Sequence, residues 1–274
     1  MNGRVITSLT NPAVKAARGL HLRKEREASG LFLAEGLKIV TEAVDLGRAP
    51  RLILHSAAAA DHPLLRRAAA AAREAVEVTP AILAKISRRH NPQTVLGVFE
   101  QAYAPLADLQ PAASRCWVAL QAVRDPGNLG TIIRTADAAG CGGVILVGDC
   151  CDPFSVEAVR ATMGSIFAVD IAKCGVAEFI AWRKSWPGGV VGAVLTAQTD
   201  FRAATYGDPT LILMGAEQAG LAPELETVCD ATVKIPMRGR ADSLNLAVAT
   251  GVMIYAVMGQ RGAGIPARNA GALL

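Results

Sequence analysis

The chain has 274 residues, 51% of them hydrophobic and 19% charged, enough apolar material for a sizeable core and too much for wholesale disorder. Its net charge of +4 is unevenly placed: residues 1–104 hold 15 Lys and Arg against 9 Asp and Glu, and residues 105–274 hold 13 against 15. All four histidines (His21, His55, His62, His90) lie in the basic part, so a module that approaches a polyanion is expected to precede a nearly neutral one.

In chain order, "RGLHLRKERE" (Arg18 to Glu27) reads as a basic helical stretch. With Lys15 it offers Arg18, Arg23, Lys24 and Arg26 as candidate polyanion contacts; a solvated helix face is the plain alternative. The apolar run "LFLAEG" leads into a helix through Leu46, "RLILHS" is strand-like, an Ala-rich helix follows, and "TVLGVFE" is strand-like again. Residues 1–104 therefore read as a small α/β domain. Pro105, Pro111 and small residues interrupt periodicity next, which places a linker at 105–114. Beyond it, "CWVALQAV", "GVILVG", "GVVGAVL", "TLILMG" and "ATVKIP" are near-continuous apolar runs, as parallel strands covered on both faces should be. Residues 115–260 read as an open α/β sheet, with a poorly ordered tail expected over 261–274.

The six cysteines form no C-x-x-C pair, and the N-terminus shows no signal-peptide pattern, so reduced thiols in a cytoplasmic protein are expected. No metal site is expected. The longest uncharged apolar stretch, Leu244 to Met258, is 15 residues, short of the roughly 20 a membrane-spanning helix needs.

Common nucleotide-binding fingerprints are missing: no G-x-G-x-x-G follows the first strand of the second domain, and no G-x-x-x-x-G-K-[ST] occurs. The second domain also has no histidine to serve as general base. What remains lies in three places. "DPGNLGTIIRTADAAG" runs from a turn into a helix that Asn128 is placed to cap, and it carries Arg134, for which an ion pair with Asp137 is the plain alternative. "LILMGAEQAGL" runs from a strand into a glycine turn with Glu217. "IPMRGRADSLNLAVATGVMIYAVM" enters a helix through Ser243, read structurally as its N-cap, and Asn245. That helix is apolar all round, so a second subunit is expected to cover part of it and the chain to form a homodimer through it.

These three segments resemble, in order and spacing, the signature motifs of the SpoU (TrmH-like) branch of the SPOUT RNA methyltransferases. Residues 1–100, with "ITSLTNPAVKAARGL" and "LFLAEGLKIV", are more loosely similar to the ribosomal-protein-like substrate-binding domain found before many such catalytic domains. The resemblance implies an open parallel sheet with a C-terminal trefoil knot, and methylation of an RNA ribose 2′-hydroxyl from S-adenosylmethionine. It implies Asn128, Arg134, Glu217, Ser243 and Asn245 as catalytic residues, and Thr196, Gly215, Ile235 and Leu244 around the cofactor. Lys15, Arg18, Arg23, Lys24 and Arg26 become RNA contacts, joined by Arg160 of "VRATMGSIF", whose role is left open. Ala247 departs from the polar residue the family often has after the third-motif asparagine.

The implied reaction is an in-line methyl transfer to oxygen, which leaves positioning and deprotonation to the protein. Guanidinium groups stay protonated, so Arg134 is assigned to a neighbouring phosphate and to developing alkoxide charge rather than to proton removal. The extra N-terminal domain tilts the substrate to ribosomal RNA, specifically 23S, with transfer RNA second. A non-catalytic RNA-binding or ribosome-assembly protein is the alternative of another class.

Overall fold

The computed structural model describes residues 5–260; the expected tail lies outside them. Asn11 starts the first helix, α1 (Pro12–Gly19), by accepting the Ala13 N–H at 2.9 Å ahead of a proline in the first turn. The basic stretch then breaks, and α2 (Arg23–Ser29) ends at Gly30 in the left-handed region (φ 66°). β1 (Leu31–Glu35), α3 (Leu37–Asp45), β2 (Leu52–His55), α4 (Pro63–Ala71), β3 (Ala75–Glu77), α5 (Pro80–Ser87) and β4 (Val95–Glu100) follow. They build a four-stranded sheet in the order β1-β4-β2-β3, antiparallel except for the β2–β3 pair.

A second, seven-stranded sheet follows. Its elements are β5 (Cys116–Gln121), α6 (Pro126–Ala139), β6 (Gly143–Val147), α7 (Val156–Thr162), β7 (Asp170–Cys174), α8 (Val176–Arg183), β8 (Gly189–Ala193), β9 (Thr199–Asp200), β10 (Thr210–Met214), α9 (Pro223–Glu226), β11 (Ala231–Lys234) and α10 (Leu246–Gly259). All its ladders are parallel, in the order β7-β6-β5-β10-β8-β11-β9. Successive β5 side chains enter different cores. Cys116, Val118 and Leu120 join Ile132, Ile133, Met253 and Ile254 of α6 and α10, whereas Trp117 and Ala119 join Phe179 of α8 and Leu225 of α9. Burial on both faces is the physical reason for the unbroken apolar runs. The edge strand β7 was not expected, because Asp170 and Lys173 are exposed and interrupt its run.

The two sheets are joined by more than a tether. Phe32 of β1 packs 4.9 Å from Phe154 and 5.7 Å from Phe167, ring to ring. The segment expected as a linker is itself anchored, with Leu106 and Leu109 buried and the Leu106 carbonyl accepting the Trp182 indole N–H at 2.9 Å. Two charge pairs bridge the same boundary. Arg26 meets Asp152 at 2.7 Å, with both side chains nearly buried, and Arg160 meets Glu35 at 2.5 Å while donating to the Ser87 carbonyl. Arg26 was expected as an RNA contact, and its burial corrects that reading; for Arg160 the sequence leaves RNA contact and support of the site both open. Arg26 is 4% exposed and fully engaged, and Arg160 is a strut between α7 and the first sheet. Lys15, Arg18, Arg23 and Lys24 are exposed, with Arg23 paired to Glu27 on the surface.

Candidate active site

β5 and β10 lie side by side in parallel, so the loops after Gln121 and Met214 leave the same edge of the sheet as neighbours. At the first loop the helix cap is Asp125, not Asn128. Its Oδ1 accepts the Asn128 N–H at 2.6 Å, and Pro126 occupies the first turn. A carboxylate directly before a proline is a capping arrangement that the Asp-Pro pair already spelled out. The Asn128 side chain is thereby free to face the neighbouring loops.

The second loop needs glycine. A Cβ on Gly215 would stand 2.1 Å from the Gly220 carbonyl carbon and 2.2 Å from the Leu221 nitrogen. The chain folds tightly back there, with Ala216 and Gly220 exchanging backbone hydrogen bonds of 2.9 and 3.0 Å and Glu217 exposed between them. Gln121, at the end of β5, pins the far side of this loop by accepting the Ala222 N–H at 2.8 Å.

The third loop, after β11, delivers Asn245, which is the N-cap of α10. Its Oδ1 accepts from Ala247 (2.9 Å) and Val248 (3.3 Å), and this corrects the reading of Ser243 as the cap. The other end of the same amide donates from Nδ2 to Asn128 Oδ1 at 2.9 Å, and Asn128 Nδ2 donates to Glu217 Oε1 at 3.1 Å. Three residues from three separate loops thus form one hydrogen-bonded chain.

That chain stands between two adjoining cavities. One, of about 660 Å³, is lined by all four residues expected at the cofactor: Thr196, Gly215, Ile235 and Leu244. Ser243 lines it as well. The other, of about 1050 Å³, is lined by Gln121, Asp125, Asn128 and the backs of the glycine loop, and Glu217 and Asn245 border both. Arg134 lines neither. It lies about 9 Å beyond Asn128 along α6, exposed, without an ion pair to Asp137 or any other side-chain partner among the described residues. α6 and α10 pack side by side there, and a Cβ on Gly251 would touch Thr135 at 3.6 Å.

Titratable groups at the site are few. Burial, aided by neighbouring Cys150, Asp125 and Glu217, pushes the Cys151 thiol up to about 12, so it is no thiolate nucleophile at neutral pH. Among the described residues no group of three His, Cys, Asp or Glu has the arrangement of a metal site. Sequence reasoning missed Asp125 and Gln121, which brace the loops and line the larger cavity. It also missed Ala122, whose φ of 49° starts the turn toward Asn128.

Comparison with known proteins adds the following. The SpoU rRNA Methylase family matches residues 115–255, and the MRM3-like substrate binding domain matches residues 11–97. The chain is 32% identical over 247 residues to the 23S rRNA (uridine(2479)-2'-O)-methyltransferase of Streptomyces viridochromogenes, covering 87% of this chain and 86% of that one. It is 28% identical over 254 residues to the 23S rRNA (guanosine(2553)-2'-O)-methyltransferase RlmP of Bacillus subtilis, covering 93% and 99%. The crystal structure of an AdoMet-bound rRNA methyltransferase from Sinorhizobium meliloti superposes with a TM-score of 0.87 at 47% identity, over 93% of this chain and 97% of that one.

Proposed function

The chain belongs to the SpoU rRNA methylase family, and from that premise we propose that it methylates a ribose 2′-hydroxyl of 23S ribosomal RNA with S-adenosylmethionine as donor. The observation that carries the proposal is the hydrogen-bonded chain Asn245–Asn128–Glu217 standing between two cavities. An in-line methyl transfer needs the donor sulfur, the methyl carbon and the attacking oxygen on one line with nothing between them, and two cavities that adjoin at these residues allow the two substrates to meet there.

The smaller cavity fits the donor by its chemistry. Ile235 and Leu244 give apolar walls, Gly215 leaves the backbone bare where a Cβ would not fit, and Thr196 adds a hydroxyl at the rim. A cavity of this size lies within the range of small-molecule sites, about 300–1,000 Å³. When bound, S-adenosylmethionine supplies a methyl group on a sulfonium that departs as a neutral thioether. The protein's task is then to hold the ribose in the larger cavity, with the Asn128 and Asn245 amides and the Glu217 carboxylate orienting its hydroxyl groups and Ser243 beside them. Arg134 of a partner copy is assigned to an RNA phosphate and to the charge that develops on the attacking oxygen, whose proton passes to that phosphate or to water.

The same reading extends to assembly. Val248 (53% exposed) and Tyr255 (58%) give α10 an apolar outward face, which supports a homodimer through this helix. Arg134 stands beside that face, so a partner copy would bring a guanidinium toward the mouth of the neighbouring pocket. We further assign residues 1–104 to substrate binding and residues 115–260 to catalysis, the latter with its C-terminal segment in a trefoil knot, and place the protein in the cytoplasm with its substrate. No described helix is long and apolar enough to cross a membrane. Ribosomal RNA is favoured over transfer RNA because relatives aligned over about nine-tenths of the chain are 23S enzymes.

The test is to map ribose methylation across total RNA with and without the gene, and to repeat it with purified protein and 23S transcript. One 23S position should lose its methyl group and regain it in vitro. A change confined to transfer RNA, or no change at all, would refute the assignment.

A further inference from the structure

At the junction of the two sheets lies a cavity of about 650 Å³ that the proposed reaction does not use. Its mouth is set by loops at one end of the four-stranded sheet: Arg48 between α3 and β2, Arg51 directly before β2, and Arg73 between α4 and β3. Tyr103, just past β4, forms a wall. It is 40% exposed and meets Phe154 edge to face at 5.1 Å. Beneath it is the apolar floor around Phe32 that joins the two sheets.

The charges at this mouth are unequally satisfied. Arg51 is paired with Glu100 at 3.2 Å. Arg48 and Arg73 are exposed and make no ion pair or side-chain hydrogen bond among the described residues. Two unengaged guanidinium groups and a partly exposed phenol ring on one cavity lining offer what a single-stranded nucleotide requires: planar donors for phosphate oxygens and a face for a base.

The location separates this cavity from the methyl-transfer site. It reaches Asp170, the first residue of β7, whereas the catalytic loops leave the opposite ends of the parallel strands. A strand of five residues alone puts those levels about 16 Å apart.

We propose that this cleft is a second RNA-binding site, gripping one single-stranded nucleotide of the substrate remote from the methylated ribose, with Arg48 and Arg73 on its phosphate and Tyr103 against its base. The proposal rests on the RNA reading above. Because the cleft is lined from both sheets, a nucleotide there would also fix the basic module against the catalytic one.

The experiment uses the full-length protein and a fluorescein-labelled single-stranded oligouridylate, with affinity followed by anisotropy across a salt series. Loss of the single phosphate contact that Arg48 and Arg73 share should make the slope of log K against log salt shallower by about 0.7 in Arg48→Ala/Arg73→Ala. Tyr103→Ala should weaken binding by about five-fold or more at fixed salt. Arg66→Ala/Arg67→Ala removes two arginines already engaged by Asp61 and Asp45, and should shift the slope much less. An unchanged slope in the first variant, or an equal change in the control, would overturn the cleft while methylation of 23S transcript by the wild type still upheld the RNA reading. Failure of the wild type to bind or methylate RNA, with S-adenosylmethionine still taken up, would overturn both.

Discussion

Replacing Arg26 with alanine should cost far more than its place in a basic surface stretch suggests. The Arg26 side chain is 5% exposed and that of Asp152 12%, so water replaces neither partner if the pair is broken. The guanidinium donates through Nε to Asp152 at 2.8 Å and through another nitrogen to the Leu20 carbonyl at 2.8 Å, while Asp152 accepts the Phe154 N–H at 2.8 Å. Removing one partner of such a pair strands the other charge and typically costs about 3–5 kcal/mol. At about 2–4 °C per kcal/mol for a chain of this size, the melting temperature should fall by roughly 6–20 °C. Arg23→Ala, three positions earlier, breaks a pair whose partners are 50% and 60% exposed, and should cost at most about 1 kcal/mol. Differential scanning calorimetry of the two variants, with Arg26→Leu/Asp152→Leu as the apolar replacement, separates the cases. The double variant should recover most of the loss. An Arg26→Ala protein melting within about 2 °C of the wild type would refute the reasoning, because it would mean that the pair carries no buried charge.

Arg134→Ala should abolish methyl transfer while leaving S-adenosylmethionine affinity nearly intact, since Arg134 lines neither cavity; calorimetry showing loss of cofactor binding would contradict its assignment. Gly215→Ala should lose cofactor binding and lower the melting temperature, because its Cβ meets backbone at 2.1 Å and no side chain can yield; normal affinity would mean the loop rearranges freely. Burial holds the His21 imidazole below its ordinary range, its Nε2–H donating to the Ile86 carbonyl at 2.5 Å. Between the lowered folded value and the ordinary one near 6.5, the unfolded chain binds the extra proton. Stability is thus complete above about pH 6.5 and declines as pH falls through that window. Melts across pH should show the decline in the wild type and a flatter profile in His21→Gln. Activity should survive EDTA, and a chelator-sensitive reaction restored by one metal would show the site to be misread.

β5, β6, β8 and β10 were legible because burial on both faces leaves a near-continuous apolar run, and the edge strand β7 was not, because its exposed Asp170 and Lys173 break that run. The three motif segments were legible and the structure brings them together, yet the capping jobs inside them were exchanged. Asp125 caps α6 where Asn128 was expected, and Asn245 caps α10 where Ser243 was expected. Both shifts have one cause: a short polar side chain near a helix start can bond its own backbone or reach across space, and only the neighbouring loops decide which. Arg23 and Arg26 are indistinguishable in a basic run. The difference is made by Asp152, 126 positions away in sequence, and no local pattern carries that information.

The amide of Asn128 is joined to groups 89 and 117 positions further along the chain. No fragment that ends before α10 can hold this constellation, and no hairpin or single helix can form part of it early. During synthesis the segments wait, one after another, for a partner that has not yet been made, and long loops must be closed before any of these bonds rewards the closure. The constellation is therefore complete only when the last helix is in place. It is the middle of the chain that waits for segments far downstream.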